Sequence, residues 1–186
     1  MPKLNRRTAT FKITAAALLT AIGILIPMVS PLRIVIEPAS YTLASHVAIF
    51  IAMFISPKVA LVVTLGTTLG FFLGGFPPTI VVRAASHIVF VVLGSMYLQK
   101  IDKFNMSFMH LRIFSLVMAL IHGAFEFVAV MLLYFGTNVP ITQETFIFFV
   151  TMVGAGTVVH SIVDLEIANV VRLALQKQPT FRELTS

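Results

Sequence analysis

Three pairs of ionisable residues stand four positions apart in otherwise apolar sequence. They are Arg83 and His87 in "VVRAASHIVF", His122 and Glu126 in "HGAFEF", and His160 and Asp164 in "HSIVDLEIAN". On a helix, residues at i and i+4 share a face. A guanidinium beside an imidazole is an anion-recognition pair, because arginine forks onto a carboxylate through two parallel hydrogen bonds. The competing reading has Arg83 snorkel to a nearby interface while His87 bonds a neighbouring helix. His122 with Glu126 reads equally as a ligand-binding or proton-handling pair and as a buried pair that ties helices together. His160 is placed to line a cavity. Asp164 and Glu166 are expected toward the cytoplasmic end, in coupling or in salt bridges to basic loops. His46, in "TLASHVAIF", is either a cavity residue or an interhelical tie.

Several chemistries lack their signatures. Histidines and carboxylates at i, i+4 can chelate a metal. However, there is no H-E-x-x-H, and the pairs fall on different segments, so no metal is assigned. A nucleophile motif of the G-x-S-x-G kind is absent, and no catalytic residue is assigned. Without G-x-x-x-x-G-K-[ST] the chain does not hydrolyse ATP by itself. With no cysteine there is no disulfide, zinc-thiolate or iron–sulfur site. No cofactor is expected.

The elements that must position these residues are apolar. Of the 186 residues 58% are hydrophobic and only 11% charged, and the mean hydropathy is +1.00. A soluble domain has about 25% charged residues, so this is an integral membrane protein. Long unbroken apolar runs indicate helices rather than barrel strands. The expected architecture is all-α: one transmembrane domain over 1–186, a compact bundle of six helices. The spans fall at about 11–29, 40–56, 59–75, 79–99, 110–135 and 145–174. The first is read as a membrane helix rather than a cleaved leader.

Charge asymmetry orients the bundle. With six spans, eleven of the thirteen Lys and Arg fall on one side, leaving only Arg33 and Arg83 toward the other. The positive-inside rule then puts both termini in the cytoplasm. Segments 30–39, 75–79 and 136–144 face outward, and Arg83 and His87 lie in the outer half of the membrane. The net charge of +6 reflects these flanks rather than nucleic-acid binding.

Small residues mark close helix approaches. Ala17 and Ala21 form a ridge in "KITAAALLTAIGILIP", and Gly66, Gly70 and Gly74 share a face in "GTTLGFFLGG". With the Ser56-Pro57-Lys58 turn and the polar groups in later helices, the chain resembles the substrate-binding S components of energy-coupling factor (ECF) vitamin transporters. The stretch "TLASHVAIFIAMFISPKVALVVTLGTTLGFFLGG" is similar to that family's T-x-x-x-H-x-P…G-P-x-x-G…G region. Ala48 replaces its frequent Pro and Ser56 its frequent Gly.

The resemblance implies a non-enzymatic transport subunit in the cell membrane of a bacterium. It would capture a water-soluble vitamin from outside. It would dock through Ala17 and Ala21 on a transmembrane T component powered by two ABC ATPases. The family pocket draws on spans four to six and outward loops, which here offers Arg83, His87, His122, Glu126, Asn138 and His160. An arginine there favours a small carboxylate vitamin, niacin or pantothenate. Niacin would use a histidine toward its ring nitrogen; pantothenate would use Glu126 and Asn138. Alternatives are a stand-alone carrier or channel for a small carboxylate, an intramembrane enzyme, or a structural subunit. No inverted repeat supports the carrier.

Overall fold

The computed structural model describes residues 6–137 and 140–185. Among these, four helical stretches are long and apolar enough to cross a membrane: Arg6–Val29, Pro78–Leu98, Phe108–Phe135 and Gln143–Leu175. The protein is therefore a multi-pass, predominantly helical membrane protein.

Helix α1 (Arg6–Val29) leads into a hairpin of two antiparallel strands, β1 (Arg33–Ile36) and β2 (Ala39–Thr42). Arg33 pairs with Thr42 and Ile36 with Ala39. The short hairpin is an addition to an otherwise helical protein, as the all-α expectation has it. The β-branched run Ile34-Val35-Ile36 suits a strand, and Glu37-Pro38 turns the chain. Within the expected span 40–56, helix α2 occupies Val47–Ile55. At 1.5 Å per residue it is about 14 Å long, roughly half of a hydrocarbon core of about 30 Å.

All nine α2 residues are buried, as expected of a helix that is apolar all round. It is the centre of the bundle, touched by α1 and by α3 (Pro57–Leu73), α5 (Ile88–Leu98) and α8 (Gly156–Leu175). Ser56 ends α2 and caps α3, its hydroxyl accepting from Val59 N at 3.3 Å with Pro57 at the first helical position. Gly75, at φ +73°, turns the chain from α3 to α4 (Pro78–Ser86). The glycine face of α3 receives α1. Gly66 lies against Thr20 and Gly70 against Ile24, so the backbones approach where side chains are missing.

The expected helix 79–99 is broken at His87, which separates α4 from α5. Helix α6 (Phe108–Phe135) is capped by Ser107 and ends at Gly136. The last long stretch comprises α7 (Gln143–Phe149), a π-helical segment over Val150–Ala155, and α8. A short helix α9 (Pro179–Thr185) returns to pack Phe181 and Leu184 into the core beside α1 and α2.

Candidate functional site

The structure gathers the three i, i+4 pairs and His46 into one buried cluster. Arg83 ends α4 and Glu126 lies midway along α6. Glu126 Oε2 accepts from Arg83 Nε at 3.0 Å, from Arg83 Nη2 at 2.8 Å and from the Thr157 hydroxyl at 2.6 Å. Its other oxygen, Oε1, lies 2.9 Å from His87 Nε2 and 3.3 Å from His122 Nε2. The kink at His87 puts its ring on the same carboxylate as Arg83. Arg83 is 5% exposed, which removes the snorkelling reading. Its Nη1 donates to the carbonyls of Pro38 and Ser40 at 3.4 and 3.5 Å, fastening the hairpin over the cluster.

A second carboxylate organises the other half. Asp164 Oδ1 accepts from Ala44 N at 2.7 Å, and Oδ2 from His46 N at 2.9 Å. His46 Nδ1 lies 3.0 Å from Oδ2, and His160 Nε2 lies 3.3 Å from it. Ser45 Oγ joins His160 Nε2 at 3.1 Å. Asp164 is wholly buried. Its partners are His46, His160 and the turn before α2 rather than a basic loop. In the final helical stretch of 33 residues it lies about two-thirds of the way along, against the start of α2. Glu166 does meet a base near a loop, in an ion pair with Arg112.

His46 is the hub. Its ring centroid lies 4.8 Å from those of His87 and His122 and 5.0 Å from that of His160. A cavity of about 60 Å³ opens onto it, lined by Arg83, His87, Glu126, Thr67, Phe71 and Arg33 among others. His122 and His160 stand behind this lining. Phe71 and Phe76 stack at the cavity, with centroids 4.7 Å apart and planes 30° from parallel. The buried Thr67 hydroxyl lines the same space without a hydrogen-bond partner among the described residues. Arg33 adds an exposed cation. Chemically, this is a polar cavity with an aromatic wall, arginine donors and imidazoles, set in an apolar bundle.

Five expected site residues, Arg83, His87, His122, Glu126 and His160, therefore meet. Asn138 lies outside the described residues. Sequence reasoning missed Arg33, Thr67, Phe71, Phe76 and Thr157. Only the Gly66–Gly75 region hinted at two of these, since its glycine face fixes which side of α3 turns inward. Ala17 and Ala21 are exposed on α1. Ala17 lines a second, mostly apolar groove of about 890 Å³ between α1 and the start of α3, with Lys12, Ile13, Pro57, Lys58 and Val62.

The fold and site define a polytopic helical membrane protein built round a buried polar centre with a small cavity beside it. No family model matches the chain, and no solved structure matches it. It is 39% identical over 153 residues to the niacin transporter NiaX of Lactococcus lactis subsp. cremoris, covering 82% of this chain and 69% of the relative. The chain belongs to the family of that transporter, a niacin-type S component, as the resemblance implies.

Proposed function

We infer that the protein captures niacin in the cavity beside His46, Arg83 and His87, as the S component of an ECF-type importer. The observation that carries this reading is the buried Arg83–Glu126–His87 cluster at a cavity with an aromatic wall, in a relative of a niacin transporter. Niacin is a pyridine ring bearing one carboxylate. Arg83 and Arg33 suit the carboxylate. Phe71 and Phe76 suit the ring face. An imidazole of His46 or His87, or the Thr67 hydroxyl, suits the ring nitrogen. The relative favours niacin over pantothenate.

The Arg83 donors already serve Glu126, Thr157 and the hairpin carbonyls. Uptake of a carboxylate therefore requires Arg83 to redistribute its hydrogen bonds. Niacin also needs more room than the present cavity, so the hairpin and the Gly74–Pro78 turn part to admit it. In this reading six segments cross the membrane with both termini cytoplasmic. The exposed Ala17–Ala21 face of α1 and its groove dock on a T component, and two ABC ATPases drive release. The chain performs no catalysis.

The test is calorimetric binding to the purified full-length chain alone, with niacin, nicotinamide, pantothenate and riboflavin. Tight binding of niacin, lost in Arg83→Ala and absent for nicotinamide, supports the reading. Tight binding of pantothenate instead, or of no vitamin by a folded preparation, overturns it. Uptake by the chain alone in vesicles would replace the S component with a self-sufficient carrier.

A further inference from the structure

We propose that His46, His87, His122 and Glu126 form a binding site for a divalent transition-metal ion. One donor atom from each of the four lies within 4.8 Å of all the others. The three imidazoles stand nearly perpendicular in pairs, at 69°, 77° and 86°. Rings so arranged do not stack on one another, and one donor atom of each stays near the others.

The spacing fits a metal shell. With metal–nitrogen and metal–oxygen bonds of about 2.1 Å, neighbouring donors in a tetrahedron lie roughly 3.4 Å apart. Glu126 Oε1 is already 2.9 Å from His87 Nε2 and 3.3 Å from His122 Nε2. His46 closes the set by a small side-chain adjustment. His122 Nε2 is a buried nitrogen without a hydrogen-bond partner among the described residues, and it aims at this point.

Outer partners of the kind that orient metal ligands are in place. His46 Nδ1 faces the Asp164 carboxylate at 3.0 Å, leaving Nε2 for the metal. His122 Nδ1 faces Ser161 Oγ at 3.1 Å. Glu126 Oε2 is held by Arg83 and Thr157, leaving Oε1. Three imidazoles and one carboxylate suit zinc, cobalt, nickel or iron rather than magnesium or calcium.

Charge argues the same way. With neutral imidazoles, Arg83, Glu126 and Asp164 leave one uncompensated negative charge in a region 5% exposed or less. Such a charge is costly, and it would repel an anionic ligand. A divalent ion reverses the sign to one net positive charge. A monocarboxylate entering the adjoining cavity would balance it. This last consequence rests on the vitamin reading; the metal site does not.

The experiment measures metal without vitamin. The full-length chain is purified in detergent on a tag free of histidine, stripped, and loaded with Co²⁺ alone. We expect one equivalent retained, with visible d–d absorption and an X-ray absorption shell containing imidazole nitrogen. His122→Ala and His87→Gln lose the ion, whereas His110→Ala, away from the site, keeps it. Asp164→Asn, which alters the outer partner of His46, weakens affinity about tenfold to a hundredfold. A wild-type chain that retains no stoichiometric Co²⁺, or whose ion has an all-oxygen shell, overturns the proposal. So does a folded His122→Ala variant with unchanged stoichiometry. Where a variant fails to fold, the wild-type absorption shell decides. Niacin binding that fails while Co²⁺ binds sinks only the vitamin reading.

Discussion

Arg83 directs two guanidinium donors, Nε at 3.0 Å and Nη2 at 2.8 Å, onto a single oxygen of Glu126. Both side chains are almost fully buried. The pair joins α4 to α6 and frees the other carboxylate oxygen for the histidines. Removing one partner strands a buried charge, which costs about 3–5 kcal/mol, whereas replacing both by apolar groups is often tolerated. Glu126→Leu and Arg83→Met are each expected to lower the melting temperature in detergent markedly. The double variant should melt above either single one. Additive losses would show that the two do not act as a pair.

The Phe71–Phe76 stack is expected to serve the ligand more than the fold. An aromatic pair is worth about 0.5–1.5 kcal/mol beyond its area. Phe76→Ala should weaken niacin binding by about tenfold at most, with the melting temperature little changed. Calorimetry and thermal melts on one preparation separate the two effects. An unchanged affinity would place the ring outside the binding path.

Ala44 sits at φ +68°, a left-handed conformation that costs a residue with a side chain about 1–2 kcal/mol. It is held there because its N–H and that of His46 both donate to Asp164. Ala44→Gly should stabilise the protein by about 0.5–1 kcal/mol, after the larger chain entropy that glycine loses on folding. A denaturation series in mild detergent reads this out. A drop in stability would mean that the alanine methyl packs usefully.

The exposed face of α1 is where binding and uptake should part. Ala17→Trp fills the groove beside Pro57 and Val62 without reaching the cavity at His46. Niacin affinity of the isolated chain should be unchanged. Uptake in cells that also express a T component and its ATPases should fall to background. Equal loss of both would point to a distorted bundle; loss of neither would move docking to another face.

The i, i+4 pairs were legible because helical spacing alone places both members on one side. That the three pairs share a centre was not, since it depends on which faces α4, α6 and α8 turn toward each other. Residues 40–56 read as a helix because their apolar run is unbroken from Val47 onward. The tie from Asp164 to Ala44 and His46 that shapes the preceding turn spans about 120 residues, beyond any local pattern. Likewise hydropathy shows where a long helix lies, but not that Asp164 on it meets His46 and the turn before α2. The hairpin's β-branched residues resembled ordinary membrane-loop composition, and the tie from the Tyr41 hydroxyl to the Met152 carbonyl is again long-range.

That same carbonyl belongs to the π-helical segment Val150–Ala155. A π turn accommodates one residue more than an α turn. Helix α8 is therefore phased as if one residue of that segment were missing. Were the same six residues wound as regular α-helix, the extra residue would no longer be absorbed. Everything downstream would then rotate by about 100°. Thr157 would swing off Glu126, and His160 and Asp164 would leave His46, all without altering one of those side chains. The site's geometry is thus encoded partly in how one upstream turn is wound, which no inspection of its own residues would reveal.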